Sequence, residues 1–293
     1  RDLHSFPTRR SSDLQVISQQ TFRYLDCTEE KNIFQYPNDA ILSFAIDDAL
    51  AASVSNGESD PVMRLWVHPK TIVLGIPDSK LPFLSDGVAY LDSLGYDVII
   101  RNSGGLAVAL DEGVLNLSLV IPGEKLSIYD CYEAMVSFVQ SALKDLTSDI
   151  EAYEIVGSYC PGDYDLSIGG KKFAGISQRR IKEGTAVQIY LDVEGNTKER
   201  AAVIREFYKR SKQNKETKFV YPEVRPEVMA SLSELLQMNL TVSEMKKRVF
   251  QALADVTEQI TMTGFTESEW QTFEKRYAQM LKRNEPIRTI LGR

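Results

Sequence analysis

Three short stretches carry the residue types that do chemistry. Cys160 lies in Gly157-Ser158-Tyr159-Cys160-Pro161-Gly162-Asp163-Tyr164-Asp165, and Lys172 follows in Gly169-Gly170-Lys171-Lys172-Phe173-Ala174-Gly175. Turn-forming glycine and proline hold this thiol in a loop rather than dissolving it in a core. An ammonium brought near it favours the thiolate, the nucleophilic form. If the two meet in space, the chemistry is acyl transfer through a thioester. The chain has three cysteines (Cys27, Cys131, Cys160), no CxxC pair and only two histidines, His4 and His68. N and S ligands are thus too few and too scattered for a zinc site, and no metal centre is expected. The same scarcity makes lysine the helper of any nucleophile. Cys27 lies outside any ligand-like loop and Cys131 falls within an amphipathic helix, so both read as inert small hydrophobes.

The third stretch is Arg101-Asn102-Ser103-Gly104-Gly105-Leu106-Ala107-Val108-Ala109-Leu110-Asp111. Two glycines after a hydrophobic strand let the backbone approach a ligand, and free amides there can hold an anion or a carbonyl oxygen. It is neither a phosphate-binding Walker loop nor a dinucleotide fingerprint, because Gly-Lys-Ser/Thr and the third glycine are missing. Plain alternatives exist: the Gly-Gly turn as a strand connector, and the Lys171-Lys172 pair as a solvated hairpin.

Those residues need a scaffold, and composition says which kinds are open. The 293 residues carry a net charge of −7, with 43% hydrophobic and 26% charged residues, which fits a globular protein with a substantial core. That balance argues against a nucleic-acid partner. No apolar run approaches membrane-spanning length; the most apolar helical stretch, 44–54, is interrupted by Asp47 and Asp48. Odd, sparse cysteines point to a reducing cytoplasm. Residues 1–14 lack any hydrophobic period and are expected to be a non-native leader, leaving 15–293 as a single domain with a helical C-terminal part from about 225.

Helical spacing of Ile41, Leu42, Phe44, Ala45, Ala49 and Leu50 predicts a helix over 38–54, capped by Asn38 or Asp39. Strands are expected at 64–68, 71–75, 97–101 and 115–121, with a short helix at 88–94 ended by Gly95. A long amphipathic helix follows at 127–146. Strands at 150–155, 164–168 and 185–191 flank the cysteine loop, with Gly169-Gly170 as a hairpin turn. From 197 onward the pattern is helical, at 198–209, 226–236, 242–260 and 267–288. An α+β fold with a mixed, largely antiparallel sheet flanked by helices is the simplest account.

Taken together, the three stretches resemble the biotin/lipoate protein ligase and transferase superfamily, whose Arg-x-Ser-Gly-Gly loop and Gly-(Lys/Arg)-Lys-(Phe/Ile)-x-Gly hairpin line an acyl pocket. The similarity is closer to the cysteine-dependent lipoyl amidotransferases, the octanoyl-[glycine cleavage H protein]:protein N-octanoyltransferases. That family's long motif stands here from Gly157 to Arg180, with Trp66-Val67-His68, 71–75, 101–106, Tyr221-Pro222-Glu223 and 229–236 also matching. The resemblance implies a biotin/lipoate ligase-like catalytic domain that needs no cofactor. It implies transfer of an octanoyl, or lipoyl, group from a lysine of the glycine cleavage H protein to lysines of the lipoyl domains of 2-oxoacid dehydrogenases. It makes Cys160 the thioester nucleophile and Lys172 the residue that lowers its pKa and orients it. Substrate binding falls to Arg101, Ser103, Gly104, Gly105, Leu106, Gly170, Phe173 and Gly175.

An acyl chain needs an apolar slot, for which Val73, Leu74, Leu106, Val108 and Phe173 are the candidate walls. Leu106 stands where the ATP-using ligases have a third glycine, and Leu110-Asp111 where they have His-Asp, which disfavours an ATP-dependent lipoate or octanoate ligase. A protein that binds acylated carriers without turnover is the third reading. His68 and Asp165 are candidate bases by chemistry alone, and Lys171, Lys172, Arg179, Arg180 and Lys182 could form a positive rim for acidic carrier domains.

Overall fold

The computed structural model describes residue 14, residues 16–28 and residues 40–293. The expected caps Asn38 and Asp39, and nearly all of the expected leader, lie outside the described residues. Eight strands form one sheet in the order β11-β1-β2-β6-β10-β9-β8-β7. They are β1 (Gln19–Cys27), β2 (Val62–Val67), β6 (Val114–Pro122), β7 (Ile150–Ala152), β8 (Leu166–Ile168), β9 (Lys171–Ile181), β10 (Gly184–Asp192) and β11 (Thr257–Thr261). β1 is parallel to both its neighbours, and every other pairing in this sheet is antiparallel. A second, three-stranded sheet has the order β4-β3-β5, from Asp97–Ile100, Thr71–Leu74 and Val108–Leu110.

Period-two alternation decides which layer each strand residue serves. On β2, Met63 and Leu65 face a core shared with Leu117, Leu119, Val187 and Ile189. The helices α3 (Ile128–Ala142) and α6 (Val242–Ala254) cover that face with Cys131, Met135, Phe138, Met245 and Val249. The opposite face packs Val62, Val120 and Ala186 under α1 (Leu42–Ser55), which is itself backed by Phe273 of α7 (Glu267–Leu291). The small sheet has its own core, shared with α2 (Leu84–Ser93) and α4 (Thr197–Lys212) through Val88, Leu91, Ile204 and Phe207. The expected α+β architecture is therefore present.

The two aspartates that interrupt the apolar stretch of α1 are both buried. Asp47 accepts from Arg64 at 2.7 Å and from Ser118 at 3.0 Å, and Asp48 pairs with Arg179 at 3.0 Å. Buried carboxylates persist because cations on β2 and β9 meet them. Three expectations need correction. The helix over 242–260 stops at Ala254, and Thr257–Thr261 is a strand beside β1. The helix over 226–236 is a 3-10 turn at Pro226–Val228 plus the four-residue α5 at Leu232–Leu235. β1, β5 and β9 have no counterpart among the expected elements, although the expected Gly169-Gly170 hairpin turn leads into β9. Among the described residues, no helix is long and apolar enough to cross a membrane.

Candidate active site

A cavity of about 260 Å³ lies between the two sheets. Its floor is the row Trp66, Asn116, Tyr190 and Gly175, which are register partners across β2, β6, β10 and β9. Val73, Val108 and Leu110 of the small sheet supply its apolar wall, with Phe44 of α1. Gly175 is dictated by the floor, since a Cβ there would come 2.8 Å from the Tyr190 ring.

Cys160 opens into this cavity, half-buried, beside Ser103, Gly104 and Gly105. Its backbone is left-handed, with φ of 45°, a conformation that costs a non-glycine residue energy and that persists only where the surroundings impose it. The surroundings are specific. Lys172, with no exposed surface, donates to the carbonyls of Tyr159 at 2.9 Å and Cys160 at 2.8 Å and to Ser158 Oγ at 3.3 Å. Its charge is met by Asp165 Oδ1 at 2.8 Å. Burial raises the Asp165 carboxyl above its ordinary range, and the Lys172 charge works against that rise. Arg225 closes the loop from outside, its backbone N–H reaching Gly157 O at 2.7 Å and its guanidinium Val156 O at 2.7 Å.

The sulfur has other partners. Leu106 N–H donates to Sγ at 3.1 Å, and Arg101 Nη2 reaches it at 3.3 Å while holding Leu106 O at 2.7 Å. The 101–107 turn is itself pinned. Ala107 N–H donates to the Tyr208 hydroxyl at 3.2 Å, which donates to Asp78 Oδ1 at 2.9 Å, and Asp78 Oδ2 takes Gly75 N–H at 2.7 Å. Burial pushes the Asp78 carboxyl up to about 6. Behind Arg101, the Asn284 amide of α7 bridges both backbone groups of Ile100, at 2.6 and 3.1 Å.

The structure therefore brings Cys160, Arg101, Ser103, Gly104, Gly105 and Gly175 to one cavity and places Leu106 against the sulfur. Other expected site residues are elsewhere. Lys172 sits behind the cysteine loop, on its carbonyls and on Asp165, rather than on the sulfur. Phe173 is buried in the core on the far face of the large sheet, and Gly170 stays in the hairpin turn. Of the candidate walls, Val73 and Val108 line the cavity, whereas Leu74 packs in the small-sheet core.

The positive rim is largely spent: Lys172 is buried, Arg179 pairs with Asp48, and Arg180 donates to Leu126 O. His68 is buried and its Nε2 receives the Trp66 indole N–H at 3.0 Å. Burial, with the Arg64 charge, holds its imidazole down at about 3, too weak a base for neutral-pH proton abstraction. Sequence reasoning missed Asp78, Tyr208 and Asn284, which act over separations of 130 and 184 residues. Nothing local marks such residues.

Comparison with known proteins identifies relatives of this chain. The lipoyl protein ligase A/B catalytic domain family matches residues 39–254. The octanoyl-[GcvH]:protein N-octanoyltransferase of Oceanobacillus iheyensis is 62% identical over 272 residues, covering 92% of this chain and 98% of that protein. Its counterpart from Bacillus velezensis is 50% identical over 278 residues, covering 94% and 96%. Among solved structures, lipoate-protein ligase A bound with ATP superposes with a TM-score of 0.67 at 18% identity, covering 89% and 95% of the two chains. The lipoic-acid-bound putative lipoate protein ligase of Thermoplasma acidophilum gives 0.66 at 18% identity, with the same coverage. At that identity the two ligases share the fold with this chain.

Proposed function

Because the chain belongs to the lipoyl protein ligase A/B catalytic domain family, and within it to the octanoyl-[GcvH]:protein N-octanoyltransferases, we propose that it moves an octanoyl group between protein lysines through a thioester on Cys160. The donor is the octanoyl-lysine of the glycine cleavage H protein, and the acceptors are lysines of lipoyl domains. The observation that carries this reading is a strained, half-buried cysteine whose sulfur receives an N–H and a guanidinium at the mouth of a largely apolar cavity.

The steps follow from those groups. The Cys160 thiolate adds to the donor amide carbonyl, the S–C bond forms, and the C–N bond breaks as the nitrogen takes a proton from water, which frees the donor lysine amine. The neutral acceptor amine then adds to the thioester carbonyl and gives one proton back to water, the C–N bond forms, the C–S bond breaks, and the thiolate returns. One amide replaces another, so the exchange is close to thermoneutral and no nucleotide is consumed. The thioester is the high-energy species, and an acyl chain seated in the largely apolar cavity limits the access of water to it. Burying six methylenes there contributes on the order of 5 kcal/mol to holding the chain. The reducing cytoplasm, which keeps such a thiol free, is the compartment this chemistry fits.

An ATP-dependent ligase is the weaker reading: the high-identity relatives are named transferases, and Leu106 fills the place of the ligases' third glycine. Incubation with octanoylated H protein should leave a hydroxylamine-sensitive octanoyl adduct on the Cys160 peptide, detected by mass spectrometry. Absence of that adduct, with transfer intact in Cys160→Ala, would sink the proposal.

A further inference from the structure

We propose that Arg101 is a catalytic residue of this site. Its guanidinium and Leu106 N–H form one anion position, which holds the Cys160 thiolate at rest and takes the oxyanion when the sulfur attacks. The inference rests on the acyl-transfer reading above.

Two cations lie near the cysteine, and their surroundings separate their roles. The Lys172 ammonium is engaged by the Asp165 carboxylate, two backbone carbonyls and Ser158 Oγ. It is neutralised where it sits, and its hydrogen bonds hold the loop. Lys172 is a positioning residue. Arg101 forms no carboxylate ion pair among the described residues, and its Nη2 reaches Sγ directly. Asp78, which feels the Arg101 charge, is taken up by Gly75 N–H and the Tyr208 hydroxyl.

Gly105 is what lets the three parts converge. It has φ of 101°, and a Cβ there would come 2.2 Å from Arg101 Nη2 and 2.9 Å from Sγ. Two further donors on the same turn, Arg101 Nε and Ser103 Oγ, are buried without a partner, and both residues line the cavity. Unpaired buried donors are costly, and both of these belong to residues of the cavity wall.

In the addition step a sulfur lone pair forms the S–C bond and the carbonyl π pair moves onto oxygen. Negative charge thus leaves the sulfur for an atom one bond beyond the new carbon. Donors already aimed at the thiolate need little rearrangement to follow it, which is the economy of a preorganised site.

The test compares Arg101→Gln and Arg101→Lys with wild type. Alkylation of Cys160 by iodoacetamide at neutral pH, read on its own peptide, should fall roughly tenfold in Arg101→Gln, while transfer from octanoylated H protein should fall about a hundredfold because the second use is lost too. Arg101→Lys should recover alkylation more than transfer, since a point charge replaces a directional donor. A folded Arg101→Gln that keeps both rates within about twofold of wild type overturns the proposal. If that variant does not fold, wild type suffices. The carbonyl stretch of a ¹³C-octanoyl thioester on Cys160 should lie below that of a free octanoyl thioester in water; an equal or higher frequency overturns the proposal. Failure of Cys160 to acylate at all would overturn the transfer reading as well.

Discussion

Lys172 carries its charge with no exposed surface, and Asp165 answers it at 2.8 Å. Breaking such a pair from one side leaves a buried charge alone. Lys172→Met should therefore cost about 3–5 kcal/mol, read as a fall in the urea midpoint. A double variant, Lys172→Met with Asp165→Leu, should recover much of that stability while transfer stays low, because the carbonyls of Tyr159 and Cys160 have lost their donor. This pair shows what the residues themselves reveal. A thiol and a lysine twelve positions apart, each among turn residues, are legible as reactive types. Which acceptor the lysine chooses is not, since the carbonyls and the sulfur belong to the same short loop and only the backbone path decides between them. Arg101 was legible as part of a glycine turn, but its reach to the sulfur depends on a φ of 101° at Gly105.

At the scale of elements, the tightest constraint lies where β3 ends against the Arg101–Leu106 turn. A Cβ on Gly75 would stand 1.9 Å from the Gly105 carbonyl oxygen, a backbone atom that cannot swing aside. Gly75→Ala should displace the whole turn. We expect transfer to fall by about two orders of magnitude, while the Cys160 loop, held separately by Lys172 and Arg225, keeps its place. Steady-state transfer assays alongside amide exchange of residues 101–107 and 156–162 would separate the two effects. Most strands around this junction were legible, because β2, β3, β4, β6 and β10 are short apolar runs between turn signals. β1, β11 and the 226–236 stretch, which were missed or misread, share one physical cause. β1 and β11 pair with each other across a separation of 238 residues, and a residue such as Thr257 or Gln259 has no local pattern that announces a strand. The 226–236 stretch has helical composition, yet its Met229 bridges Lys172 and its Ala230 N–H donates to the Lys172 carbonyl, which breaks it into short turns.

For the molecule as a whole, two buried groups set opposing responses to acid. His68 stays neutral when folded down to about pH 3, through burial and the Arg64 charge, but takes a proton near its ordinary 6.5 when unfolded. The unfolded state binds more protons across that window, so stability falls as pH drops, by about 1.4 kcal/mol per pH unit. Asp78 runs the other way. Burial raises it from 3.8 to about 6, so the folded state binds more protons there and ionisation costs stability as pH rises. His68→Asn should flatten the acid side of a stability–pH curve relative to wild type, and Asp78→Asn should steepen it; urea melts between pH 4 and 7 would read both. The last helix belongs to the same scale. Asn284 holds both backbone groups of Ile100, the residue before Arg101, although α7 lies beyond the 39–254 match to the catalytic family. Asn284→Ala should lower transfer more than it lowers thermal stability, which kcat and melting temperature measured together would show. During synthesis, then, the cysteine loop and the small sheet are made well before residue 284 is. A nascent chain that has not yet reached residue 284 carries its thiol without the latch that aims the arginine, so the nucleophile comes into working order only after α7 has been made.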